Sequence, residues 1–252
     1  MTLYLIGLGL ADEKDITVKG LEAIKSCQKI YLENYTSLLQ CSKEDLEKFY
    51  GKKITLATRE ISEQGAEKIV EEAKESNVAF LVIGDALAAT THIELFRLAK
   101  EKEIQVKVIH NTSILTVIGV TGLQLYKFGK ITSIPFPEKV PGIEAHYNII
   151  KDNKRRGLHT LCLLDIEAEQ NKFMTIKEAL NILEKIEKKR KENILTPDTL
   201  VIGCARLGSD SADIKSGPLD KIKEFSFGPP PHCLIIPGEL HFLEEEVVKM
   251  WN

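Results

Sequence analysis

Paired cysteines are missing. Cys27, Cys41, Cys162, Cys204 and Cys233 are odd in number and widely spaced, and no two form a C-x-x-C pair. This disfavours zinc-ribbon and thioredoxin-like chemistry and fits a reducing compartment. Long apolar runs are missing too: none approaches the roughly 20 residues that span a bilayer. The start, Met1-Thr2-Leu3-Tyr4-Leu5-Ile6-Gly7, has neither a basic stretch nor a signal cleavage site, so the expectation is a cytoplasmic chain with no membrane partner. A basic excess is absent. The net charge is -3 with 28% charged residues, which argues against direct nucleic-acid binding. The best basic patch is residues 151–156, readable as a solvated helix end or as a docking surface. No fixed-period repeat is present.

Catalytic signatures are equally sparse. The six histidines form no H-E-x-x-H or close acidic pairing, so no metal is expected. There is no G-x-S-x-G elbow and no phosphate-binding G-x-x-x-x-G-K-[ST] loop. Gly7-Leu8-Gly9 lacks the third glycine of a dinucleotide fingerprint, because position 12 is Asp.

What is present is a core and a rhythm. Apolar residues make up 43% of the 252. Short apolar runs at 3–8, 29–32, 54–57, 78–83, 106–109, 131–134, 161–164, 200–205 and 233–236 read as strands. Helical spacing recurs at Val18, Leu21, Ile24 and Cys27, with Thr17 or Asp15 as cap, and at 62–74, 91–100, 142–154 and 240–250. Ser42-x-x-Asp45 and Thr175-x-x-Glu178 open two further helices as capping boxes. Strand–helix alternation predicts an α/β chain of two lobes with mainly parallel sheets. The texture changes between 111 and 118, which divides the chain into 1–112 and 113–252; a single fused domain is the alternative.

Three strand ends carry small or acidic residues: Gly7-Leu8-Gly9-Leu10, Gly84-Asp85-Ala86-Leu87-Ala88, and Ala205-Arg206-Leu207-Gly208-Ser209. Ligands bind at the carboxyl edge of open α/β sheets, so three such ends favour one composite pocket. Each has a plainer reading. The glycines suit a tight turn, and Asp85 suits a helix cap.

The opening run Tyr4-Leu5-Ile6-Gly7-Leu8-Gly9-Leu10, with Asp12-Glu13 and Asp15-Ile16-Thr17, resembles the diphthine synthases. So do Gly84-Asp85-Ala86-Leu87-Ala88-Ala89-Thr90-Thr91-His92, His110-Asn111-Thr112-Ser113-Ile114, Leu163-Leu164-Asp165-Ile166 and Pro229-Pro230-Pro231-His232-Cys233. The likeness covers essentially the whole chain. The wider class is the tetrapyrrole methylase-like, or class III, methyltransferases. Its first loop often reads G-x-G-P-G-D, where this chain has Leu10-Ala11-Asp12; the departure favours the protein-modifying branch.

The resemblance implies two α/β lobes with S-adenosylmethionine in the cleft between them, S-adenosylhomocysteine as product, no metal and a homodimer. The protein partner it implies is elongation factor 2, methylated on the amine of its carboxy-amino-propyl histidine intermediate. It also implies cofactor contacts at Leu10, Asp85, Ala88, Ser113, Ile114, Leu164, Leu207 and His232. Leu10, Ile114 and Leu164 read equally as core, Ser113 as a cap and His232 as a packed turn residue. No catalytic acid or base is assigned; Asp165 is a proton acceptor, an orienting group or a structural carboxylate. Arg206 and the 151–156 patch are candidates for docking the factor. The compact length resembles the archaeal form, which implies a trimethylated amine as end point. A nucleotide-binding regulatory module and a tetrapyrrole methylase are the other readings.

Overall fold

A computed structural model of the chain describes residues 1–33, 35, 37–58, 65–88 and 92–252. They form two compact units, Met1–Val117 and Ile118–Asn252. No helix among the described residues is long and apolar enough to cross a membrane.

The first unit is a five-stranded sheet in the order β3-β2-β4-β1-β5, from β1 (Thr2–Gly7), β2 (Lys29–Glu33), β3 (Thr55–Ala57), β4 (Val78–Val82) and β5 (Gln105–Ile109). Every pairing is parallel. Side chains alternate across the central strands. Leu3 and Leu5 of β1 join Val78, Phe80 and Val82 of β4 on one face, against Ile69, Val70, Leu95 and Ala99. Ile6 and Leu8 join Ala79 and Leu81 on the other, against Ile24, Leu46 and Tyr50. The sheet is buried on both sides, as parallel sheets must be.

The helices obey their local signals. Thr17 caps Val18–Ser26 through its hydroxyl, and Ser42 and Asp45 close the capping box of Lys43–Tyr50. The helices Ala66–Glu75 and Ile93–Glu101 complete the other face. Their expected starts at 62 and 91 lie outside the described residues.

The second unit has a sheet in the order β11-β10-β12-β7-β6, from β6 (Thr132–Ile134), β7 (Thr160–Leu164), β10 (Leu200–Ala205), β11 (Asp213–Pro218) and β12 (His232–Ile236). A two-stranded ribbon, β8 (Ile166–Glu167) with β9 (Lys172–Phe173), stands apart. In the main sheet β6 and β7 are parallel, but β12 is antiparallel to both β7 and β10, and β10 to β11. Parallel pairs therefore outnumber antiparallel ones across the two main sheets, yet they concentrate in the first unit. The expectation of mainly parallel pairing does not describe the second. Only residues 206–212 separate β10 from β11, and a parallel crossover needs a dozen or more. One face of this sheet is covered by Ala145–Arg155, Ile176–Arg190 and Leu219–Glu224, burying Tyr147, Ile150, Leu180, Leu183 and Leu219.

Candidate functional site

Strand order positions the first cluster. The chain runs β1-β2-β3 across the sheet with its helices on the Ile24 face, then returns through β4 and β5 with helices on the Leu95 face. The reversal leaves β1 beside β4, with outgoing loops turning to opposite faces. Such a switch point opens a crevice at the strand ends.

The loops there are tightly built. Gly9 and Gly84 exchange main-chain bonds, Gly9 N to Gly84 O at 3.1 Å and Gly84 N to Gly9 O at 2.7 Å. Both need glycine, with φ of 85° and 86°. A methyl on Gly9 would lie 2.4 Å from Asp15 Cβ, whereas one on Gly84 would lie 3.8 Å from Leu10 Cδ2 and 3.8 Å from Ser113 Cα. Gly84 thus faces a small hollow between Leu10 and Ser113.

Two residues not among the expected cofactor contacts hold this arrangement. Asp15 Oδ2 accepts the amides of Leu10 (3.0 Å) and Ala11 (2.8 Å). Asn111 Nδ2 donates to Gly7 O (3.1 Å) and Asp15 O (2.9 Å). Polar residues two to eight positions beyond a strand end were the available signal.

Asp85 caps a turn and not a helix. Its Oδ1 accepts from Leu87 N (3.0 Å), and its Oδ2 from Asn111 N (3.0 Å), with His110 Nδ1 at 2.9 Å. Burial pushes its carboxyl up, but these amides and His110 outweigh it and hold it below the ordinary value. Three of about four acceptor positions are used, leaving one for a ligand donor. Ala88 closes the turn on the Asp85 carbonyl at 3.4 Å. Buried Ser113 accepts from Leu115 N at 3.2 Å, as a cap of the short helix Ile114–Val117. The first unit therefore brings Leu10, Asp85, Ala88, Ser113 and Ile114 to three neighbouring strand ends.

The second unit gathers the other three. His232 opens β12 opposite Ala205, and Cys233 lies opposite Leu163, so Leu207 and Leu164 flank His232 at one edge of the sheet. Leu164 and Leu207 are buried. The His232 imidazole packs edge-on to Phe227 with centroids 6.1 Å apart, and its Nε2 lies 3.1 Å from Pro229 O. Burial first, and then the Arg206 charge, push it below the usual histidine range, against the Pro229 and Gly228 carbonyls.

Arg206 is not on a rim. It is 9% exposed, in the left-handed region at φ 49°, with its guanidinium on the Phe227 and Pro229 carbonyls. Its long apolar stem and fork suit internal carbonyls as well as solvent. Asp165 accepts from Phe136 N (2.9 Å), Ile166 N (2.9 Å) and Lys139 Nζ (3.0 Å), three of about four acceptor positions, as at Asp85. These bonds anchor the proline-rich 135–141 segment to the end of β7. In the basic patch, Lys151 pairs with Glu192 and Lys154 donates to Ile194 O, leaving Arg155 and Arg156 exposed.

Residues 2–223 match the family described as Tetrapyrrole (Corrin/Porphyrin) Methylases, and the chain belongs to that family. Its relatives place it more narrowly, among the diphthine synthases. A diphthine synthase of Methanococcus aeolicus is 48% identical over 98% of this chain and 96% of its own length. The diphthine methyl ester synthase of Dictyostelium discoideum is 47% identical over 100% of this chain and 98% of its own. A crystal structure of a putative diphthine synthase from Entamoeba histolytica superposes with a TM-score of 0.91 at 42% identity, covering 99% of this chain and 98% of the other.

Proposed function

We propose that this protein transfers methyl groups from S-adenosylmethionine to the amine of the carboxy-amino-propyl histidine intermediate on elongation factor 2, giving diphthine. The observation that carries the reading is the full-length identity of nearly one half with the diphthine synthases. The first loop supports it, since Leu10-Ala11 stands where the tetrapyrrole branch carries proline and glycine, with the acid kept at Asp12.

We assign Leu10, Asp85, Ala88, Ser113 and Ile114 of the first unit, and Leu164, Leu207 and His232 of the second, to the cofactor. Two features fit that role: the hollow over Gly84 between Leu10 and Ser113, and the buried His232 Nδ1 with no hydrogen-bond partner. When bound, the cofactor supplies an electrophilic methyl group on a sulfonium. The protein's part is to hold and orient the donor, exclude water and receive an unprotonated amine. None of these tasks requires a covalent nucleophile, and no side chain is assigned as base.

Homodimerisation and a cytoplasmic location belong to the same reading, on family likeness. Light scattering at working concentration should give twice the monomer mass; the monomer mass would remove the dimer from the proposal.

The product is proposed to be the trimethylated amine. The alignment with the Methanococcus aeolicus relative spans 248 positions, against 269 for the Dictyostelium one, so this chain has the archaeal compactness. The name of the Dictyostelium relative favours a second reading, in which a methyl ester is also formed. Intact mass of the modified factor separates them: three added methyl groups support the first and four the second. Binding is tested by titrating purified protein with S-adenosylhomocysteine in a calorimeter. Saturable one-to-one binding is expected, and no heat at any concentration would withdraw the cofactor assignment.

A further inference from the structure

One side chain ties together the two segments that carry Leu207 and His232. Arg206 Nη1 donates to the carbonyls of Phe227 (2.7 Å) and Pro229, and Nε donates to Ser211 O at 3.0 Å. Its amide donates to Pro231 O at 2.8 Å, and its carbonyl accepts the Ser209 hydroxyl at 2.8 Å. A cation nine-tenths buried on three carbonyls and the Ser211 hydroxyl, with no carboxylate among its hydrogen-bond partners, is a specific arrangement. Lysine lacks the planar fork needed to reach them together.

The Pro229 carbonyl that takes Arg206 Nη1 also faces His232 Nε2. A carbonyl can only accept, so Nε2 carries the proton. Nδ1 is then a bare lone pair, buried and without a hydrogen-bond partner. A buried acceptor in that state calls for a donor. The groups acting on the ring are Arg206, the Phe227 edge, the Gly228 and Pro229 carbonyls and, more remotely, Glu178.

We propose that Arg206 is a positioning residue for the methyl donor. By fixing segment 227–231 it holds the His232 ring so that Nδ1 accepts a hydrogen bond from an N–H or O–H of the adenosyl group. The proposal rests on the cofactor assignment made above for Leu207 and His232. It makes Arg206 an internal brace of the donor site and removes it from factor docking.

Long-range proton–nitrogen spectra of histidine-labelled protein test it, with H232N to assign the resonance. Free wild-type protein should show His232 as the Nε2–H tautomer. S-adenosylhomocysteine should shift Nδ1 and leave Nε2 nearly unmoved. In R206M the tautomers should average, and affinity for S-adenosylhomocysteine should fall roughly tenfold, as expected for one lost hydrogen bond. R206K keeps the charge without the fork and should behave like R206M, which serves if R206M does not fold. Wild-type tautomer and affinity in a folded Arg206 variant would overturn the positioning role and leave the cofactor assignment standing. Saturation of the wild type with no change at Nδ1 would overturn the His232 contact. Failure of the wild type to bind would overturn the assignment and this proposal together.

Discussion

At the residue scale, the site is made by groups whose oxygens and amides satisfy each other around two glycines. Gly84→Ala introduces strain at a φ of 86° but no clash, since its new methyl has 3.8 Å of clearance. It should cost about 1–2 kcal/mol of stability and narrow the hollow between Leu10 and Ser113, weakening S-adenosylhomocysteine binding. Gly9→Ala drives its methyl into Asp15 at 2.4 Å and should cost more, with loss of the loop at Leu10 and Ala11. Denaturant melts and calorimetry on the two variants give the ranking. Asp85→Ala leaves the Leu87 and Asn111 amides without their acceptor. We expect about 1–3 kcal/mol of destabilisation and about 10- to 100-fold weaker cofactor binding. Because the wild-type carboxyl is held below its ordinary value, wild-type affinity should not decline with acid until the pH falls below the normal carboxylate range. Unchanged affinity in the folded variant would move the cofactor away from this loop.

At the element scale, helices with chemical punctuation were legible in the sequence. The Thr175–Glu178 box opens the helix Ile176–Arg190 with both reciprocal bonds formed. Thr175→Ala should cost about 1 kcal/mol, which lowers Tm by roughly 2–4 °C in a chain of this size. The final helix was anticipated at 240–250, but His241 caps Phe242–Val248 and the chain then tightens into a 3-10 turn. Strand β11 was not anticipated. Its sequence, Asp-Ile-Lys-Ser-Gly-Pro, carries the marks of a turn, and only pairing along β10 makes it a strand. Missing β11 hid the short 206–212 connection, and with it the antiparallel character of the second sheet. The loops proposed to hold the cofactor carry glycine and acid at strand ends, a pattern legible in the sequence. The role of Asn111 was not legible, because it depends on contacts made across the sheet, such as that with Gly7, 104 positions apart. Asp15 reads in sequence as a helix cap, and its bonds to the Leu10 and Ala11 amides emerge only once the loop has folded.

At the scale of the whole molecule, buried histidines set the acid limit. His92 is 3% exposed, and burial lowers it to about 4 from its ordinary 6.5. The unfolded chain therefore binds more protons between these values, and stability falls as pH drops through that window, by on the order of 3 kcal/mol for this residue. Buried His159 and His146 are depressed in the same direction, also chiefly by burial. Glu244 adds to the trend lower down. Burial pushes it up, but the His241 amide, Lys127, the Gln124 amide and His159 hold it at about 2. Its contribution is present above the ordinary 4.5 and is lost as pH falls toward 2. Urea midpoints should drop steadily from pH 7 to pH 4, and a flat profile over that range would contradict the burial of these groups.

The central claim concerns one reaction on one protein side chain. Purified protein is mixed with S-adenosylmethionine labelled in its methyl group and with elongation factor 2 carrying the carboxy-amino-propyl histidine intermediate. A parallel reaction contains factor whose target histidine is unmodified. Label on the first factor and none on the second is the predicted result. No label on either, with S-adenosylhomocysteine demonstrably bound to the protein, would contradict the substrate assignment.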